Sequence, residues 1–101
     1  SYKHKVVVGI DVIEFEESVD LYSVPELKKF CKEIIKKDNK KLILSLEKIK
    51  FIDSSGLGML VNVKHECNEN KAVLKLAALS VEADRIFSLT KMQSNFEIYP
   101  T

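Results

Sequence analysis

Apolar and polar positions alternate along the chain at two periods, close to two in some stretches and close to 3.6 in others. Residues 5–15 are dense in β-branched side chains and predict one strand, or two short ones hinged near Gly9. Asp20 to Pro25 is a connection, with Ser23 or Val24 marking a helix start because Pro25 fits the first turn. Leu27, Phe30, Cys31, Ile34 and Ile35 then recur at helical spacing, with Lys28, Lys29, Lys32, Glu33 and Lys36 on the other side. That is an amphipathic helix for laying on a sheet. Leu42 to Leu46 is nearly all apolar and predicts a strand buried on both faces. Ile49 to Ile52 leads to a turn, and Ser54-Ser55-Gly56 opens a second helix through about Asn68, broken at Asn68 to Lys71. Ala72 to Leu76 predicts a strand, Val81 to Leu89 a helix capped by Ser80, and Phe96 to Tyr99 a last strand. The order β(β)-α-β-α-β-α-β predicts one α/β domain over residues 1–101, a mixed, mostly buried sheet of about four to five strands with about three to four helices packed on it.

Charge removes several function classes. Sixteen basic and fifteen acidic residues leave a net charge of +1, so no overall field draws nucleic acid or an acidic membrane. The one basic cluster, Lys36-Lys37-Asp38-Asn39-Lys40-Lys41, reads as a solvated helix-to-strand connection. Cys31 and Cys67 lie in helical patterns without CxxC spacing and are expected as reduced core or boundary residues. No apolar run approaches the roughly 18 residues needed to span a bilayer, and none resembles a signal peptide, so a soluble cytoplasmic protein is expected.

The stretch from Phe51 to Gly58 holds the candidate chemistry. A strand-like segment ends, small polar residues follow, and glycines open a helix. A helix N-terminus leaves backbone N–H groups unpaired and carries the positive end of the macrodipole, so a phosphate on Ser54 or Ser55 would gain partners there. Asp53 would repel its roughly −1.5 to −2 charge. The same residues also make an ordinary cap, since Asp or Ser commonly precedes a helix and glycine relieves a turn. Spacing alone leaves both readings open.

On a wheel of 100° per residue with Leu57 at zero, Leu60, Val63 and Cys67 fall between roughly 240° and 300°, with Met59 at about 200°, and define a core face. Leu57 and Val61 fall outside it. They either widen the core contact or form an exposed apolar patch beside the serines. Catalytic constellations are absent: there is no GxSxG, P-loop, HExxH or zinc-like spacing. His4 belongs to the N-terminal tail. His65 lies on the polar arc of the second helix, eleven positions from Ser54, and both are expected as surface histidines.

The run Phe51-Ile52-Asp53-Ser54-Ser55-Gly56-Leu57-Gly58 closely resembles the D-S-[SGT]-G-[LI]-G loop of STAS-domain anti-sigma-factor antagonists. Val19-Asp20 with the helix from Pro25 to Ile35 is similar to the family's G-x-[LIV]-D motif and first helix. Ser80-Val81-Glu82-Ala83 with Ile86-Phe87 is similar to its S-x-x-[VA]-x-x-[IL]-[FL] segment. Glu17 departs from the pattern, which has Gly there, and a last helix seen in many members has no counterpart before Thr101.

The resemblance implies a non-enzymatic module, without cofactor, metal or catalytic residue. It would bind an anti-sigma factor with serine kinase activity, take a phosphate on Ser54, leave the complex, and be reset by a phosphatase. By the same match Asp20, Asp53, Ser54, Ser55, Gly56 and Leu57 would meet the partner, with Val61 joining them where the outer arc of the second helix forms the exposed patch. The alternative within the family is a binding subunit of a transport or stress-signalling complex, without a phosphorylation cycle.

Overall fold

The computed structural model of the protein describes residues 2–36 and 41–100. The β-branched N-terminal run forms two strands, β1 (Tyr2–Val7) and β2 (Ile10–Phe15), paired as an antiparallel hairpin. Val8 and Gly9 make the turn, both left-handed at φ 51° and 75°. A two-residue turn with two positive φ angles carries the twist that matches the flanking strands. His4 therefore stands in a strand rather than a tail. Its Nε2 lies 2.5 Å from Asp11 Oδ1 across the hairpin, and its ring sits edge-on to Phe30.

A two-residue strand, β3 (Ser18–Val19), follows, then α1 (Val24–Lys36). The basic connection expected over Lys36–Lys41 falls largely on residues 37–40, outside the described residues. Next come β4 (Lys41–Ser45), β5 (Phe51–Ile52), α2 (Ser54–Glu69), β6 (Val73–Ala77), α3 (Val81–Thr90), a 3-10 turn at Gln93–Asn95 and β7 (Glu97–Tyr99). Ser80 caps α3 as expected, its Oγ accepting from the Ala83 N–H at 3.1 Å.

Five strands form one sheet in the order β1-β2-β4-β6-β7, antiparallel only at β1–β2, and β3 pairs with β5 in a separate parallel pair. Parallel neighbours need helical crossovers, so the turns that end β3, β5 and β6 and start α1, α2 and α3 gather at the strands' C-terminal end.

Ile13, Phe15, Leu42, Leu44, Leu74 and Leu76 point to one side of the sheet and are buried. Leu27, Cys31, Ile34 and Ile35 of α1, Met59, Leu60, Val63 and Cys67 of α2, and Ala83 and Phe87 of α3 complete the same core. Each of the large side chains contributes roughly 1.5–3 kcal/mol by leaving water.

The expectation that β4 is buried on both faces is corrected. Leu42 and Leu44 are buried, whereas Ile43 and Ser45 are only half-buried. Successive strand side chains point to opposite sides, and the helical core covers one of them. The other side is an open groove of about 1130 Å³ whose lining includes Val12, Ile43 and Ala77. There Lys48 Nζ stands 3.0 Å from Glu14 Oε1, and this hydrogen bond and charge hold the Glu14 carboxyl below its ordinary range.

Candidate functional site

The site grows out of the β3–β5 pair. Ser18 stands opposite Phe51 and Val19 opposite Ile52, with Val19 and Ile52 buried. The Glu17 carbonyl accepts from the Lys50 N–H at 2.7 Å and the Phe51 N–H at 3.3 Å. This pinning uses backbone atoms, and Glu17 is not among the left-handed residues, so the local geometry does not demand glycine there.

Because the two strands are parallel, the chain leaves both in the same direction and two turns run side by side. After β3, Asp20 closes the first. Its Oδ1 accepts from the Ser23 N–H at 3.1 Å and the Tyr22 N–H at 3.0 Å, while Ser23 Oγ accepts from the Asp20 N–H. The Ser23 N–H is the main reason the Asp20 carboxyl is held below its usual range; burial opposes it, and the Tyr22 N–H adds to it. The turn lifts Leu21 and Tyr22 into solvent, at 64% and 90% exposure.

After β5, Asp53 starts α2. It is extended, at φ −105° and ψ −175°, and its Oδ1 accepts from the Gly56 N–H at 3.0 Å while its carbonyl accepts from the Leu57 N–H. Of the caps left open by the sequence, Asp53 is the one used. Ser54 and Ser55 are the first helical residues, and their N–H groups precede the first acceptor a helix can offer. Ser54 is exposed and Ser55 half-buried. Among the described residues the Ser54 hydroxyl has no hydrogen-bond partner.

Two glycines of α2 differ sharply. A Cβ on buried Gly56 would lie 2.4 Å from the Val19 carbonyl oxygen and 2.9 Å from carbons of Ile52 and Val19. Only glycine lets the first turn of α2 rest on β3. Gly58 is exposed, with nothing within 4 Å of the Cβ it lacks. Inside a helix it is less favourable than alanine by roughly 0.5–1 kcal/mol.

The two options for the outer arc of α2 divide between its residues. Leu57 is half-buried and packs against the core, while Val61 is 45% exposed. The structure thus brings Asp20, Asp53, Ser54, Ser55, Gly56 and Leu57 together at the paired turns, with Val61 one turn further along α2. It adds Leu21, Tyr22 and Phe51, the last 54% exposed. Sequence reasoning missed these three because an apolar side chain on a short strand or turn reads as core by default.

Neither histidine joins the site. His65 pairs with Glu69 at 2.9 Å, three turns along α2 from Ser54. No group of three or more His, Cys, Asp or Glu able to hold a metal ion occurs among the described residues. No helix among them is long and apolar enough to cross a membrane.

Comparison with known proteins bears on the family and the fold. The anti-sigma-B factor antagonist of Staphylococcus aureus (strain NCTC 8325 / PS 47) is 28% identical over 75 residues, covering 74% of this chain and 69% of that protein. A putative anti-sigma factor antagonist from Thermotoga maritima superposes with a TM-score of 0.90 at 23% identity, over 99% of this chain and 86% of the other. The phosphorylated form of the Bacillus cell fate determinant SpoIIAA superposes with a TM-score of 0.76 at 18% identity, over 97% and 90%. At such identities these two structures speak for the fold. The family model for the STAS domain matches residues 2–101, and the chain belongs to that family.

Proposed function

We propose that the protein is an anti-sigma-factor antagonist, switched by phosphorylation of Ser54. One observation carries the reading. Ser54 is exposed at an open helix N-terminus, its hydroxyl without a partner among the described residues, beside uncovered Leu21, Tyr22, Phe51 and Val61. The chain's curated relatives are antagonists of an anti-sigma factor, and one of its structural neighbours is known in a phosphorylated form.

Unphosphorylated, the turns bind an anti-sigma factor with serine kinase activity, and a sigma factor is set free for transcription. In the complex Ser54 Oγ attacks the γ-phosphorus of ATP held by the partner. An O–P bond forms, the bond to the β-phosphate oxygen breaks, and ADP leaves. The hydroxyl proton passes to a base of the partner. The phosphate gains the Ser54 and Ser55 N–H groups and the positive helix end. It also faces Asp53 and places its charge against an apolar contact. The fold survives and the complex does not. A phosphatase resets the cycle, which runs in the cytoplasm. The chain itself catalyses nothing.

Incubation with the anti-sigma kinase of the source organism and ATP, followed by mass spectrometry, tests this. Phosphate is expected on Ser54 of the wild type and none on Ser54→Ala, with both binding the unloaded kinase. A kinase that binds the wild type yet leaves Ser54 unmodified overturns the switch.

A further inference from the structure

Gly58 is the residue of the site with no role inside this chain. It is not left-handed; Gly9 is the one glycine with positive φ among the described residues. It ends no helix, because α2 runs on to Glu69. Nothing approaches the position of its missing Cβ within 4 Å, whereas a Cβ on Gly56, two residues earlier, would lie 2.4 Å from the Val19 carbonyl oxygen. Alanine is the better residue for an exposed helical position. What glycine alone offers there is bare backbone to something that comes from outside.

Its neighbours on the helix surface make that face a contact. At 100° per residue Ser54, Leu57, Gly58 and Val61 share one arc about 100° wide. Val61 is 45% exposed and Leu57 half-buried. The paired turns beside them carry the carboxylates of Asp20 and Asp53 and no lysine or arginine over residues 20–23 and 53–58, so the frame is acidic.

We propose that Gly58 seats the main chain of the anti-sigma factor. A backbone segment of that partner lies across the first two turns of α2 at Gly58. Its apolar side chains rest on Leu57 and Val61, and a lysine or arginine faces the acidic frame. This rests on the antagonist reading above and adds which surface sets partner fit. The close seat at Gly58 holds Ser54 at a fixed distance from the kinase's ATP, and a methyl at position 58 lifts the partner off the helix.

The test uses the whole chain and the anti-sigma kinase, with wild type, Gly58→Ala, and Asn68→Ala on the far end of the same helix. Thermal melting, Kd and the rate of Ser54 phosphorylation are read together. Gly58→Ala is expected to melt a few degrees higher, bind at least about tenfold more weakly, as for a hot-spot contact, and accept phosphate more slowly. Asn68→Ala is expected to bind and react as wild type does. Wild-type Kd should also weaken between roughly 50 and 300 mM NaCl. Wild-type Kd and rate in Gly58→Ala, or a lower melting temperature, overturn the seat while leaving the antagonist reading intact. A salt-independent Kd removes the basic partner segment. A wild type that does not bind the kinase overturns the antagonist reading, and the seat with it.

Discussion

Gly56 and Gly58 stand two positions apart in α2, yet a methyl group means something different at each. At Gly56 the nearest obstacle is the backbone oxygen of Val19, which cannot swing aside as a side-chain tip could. Gly56→Ala should therefore cost about 1–3 kcal/mol, the range of overpacked cores, read as a lower urea midpoint with an unchanged slope. An unchanged midpoint would mean that α2 can slide away from β3 freely. The resemblance marked this glycine, but only the contact with β3 explains it. Asp53 and Ser54 divide similarly. A cap at Asp or Ser was legible in the sequence, while the exposure that separates Ser54 from half-buried Ser55 comes from the docked helix.

At the scale of elements, the β1–β2 hairpin shows a local conflict. Val8 adopts φ 51° and is 94% exposed. A β-branched residue is poorly suited to a left-handed turn position, where Asn before Gly is favoured. Val8→Asn should stabilise the fold by about 1 kcal/mol, on the scale of the left-handed penalty, seen as a higher melting temperature. Helices α1, α2 and α3 were legible because each is long enough to show its apolar stripe. The two-residue strands β3 and β5 were not recognised as a pair, since no alternation fits in two positions and only their parallel pairing defines them. The misreading of β4 has a related cause. An apolar run says that both sides tolerate hydrocarbon, not that both are covered.

For the whole molecule, Cys31 and Cys67 report on how the core opens. One lies on α1 and the other on α2, and both are buried and free. Burial, with Cys67 nearby, pushes the Cys31 thiol up to about 12; burial, with Glu66 nearby, pushes Cys67 up to about 11. Both should resist a disulfide reagent such as DTNB in the native state and react together on unfolding, since reactivity needs an accessible thiolate. Fast reaction of either thiol in native protein would show that α1 and α2 part without global unfolding.

The pH dependence has one sign. Each folded thiol keeps its proton above 9.0, where the unfolded thiol loses it. Their contribution is thus intact below pH 9 and lost as pH rises towards 11 and 12. Replacing Cys31 by alanine should flatten the alkaline decline measured by urea unfolding.

The sequence by itself determined the order of the helices and of the longer strands, the α/β class, the core stripe of α2 and the cap of α3. All of these are local: periodicity, propensity and capping act within a few residues. The resemblance of the Phe51–Gly58 run added the family and singled out Ser54. Only the tertiary structure decided which side of the sheet the helices cover and that Leu21, Tyr22 and Phe51 stay in water beside Ser54. It alone showed that Gly56 is filled by its own fold and Gly58 by nothing in it. Those outcomes depend on how distant segments pack, and a run of apolar residues does not state what will lie on top of it.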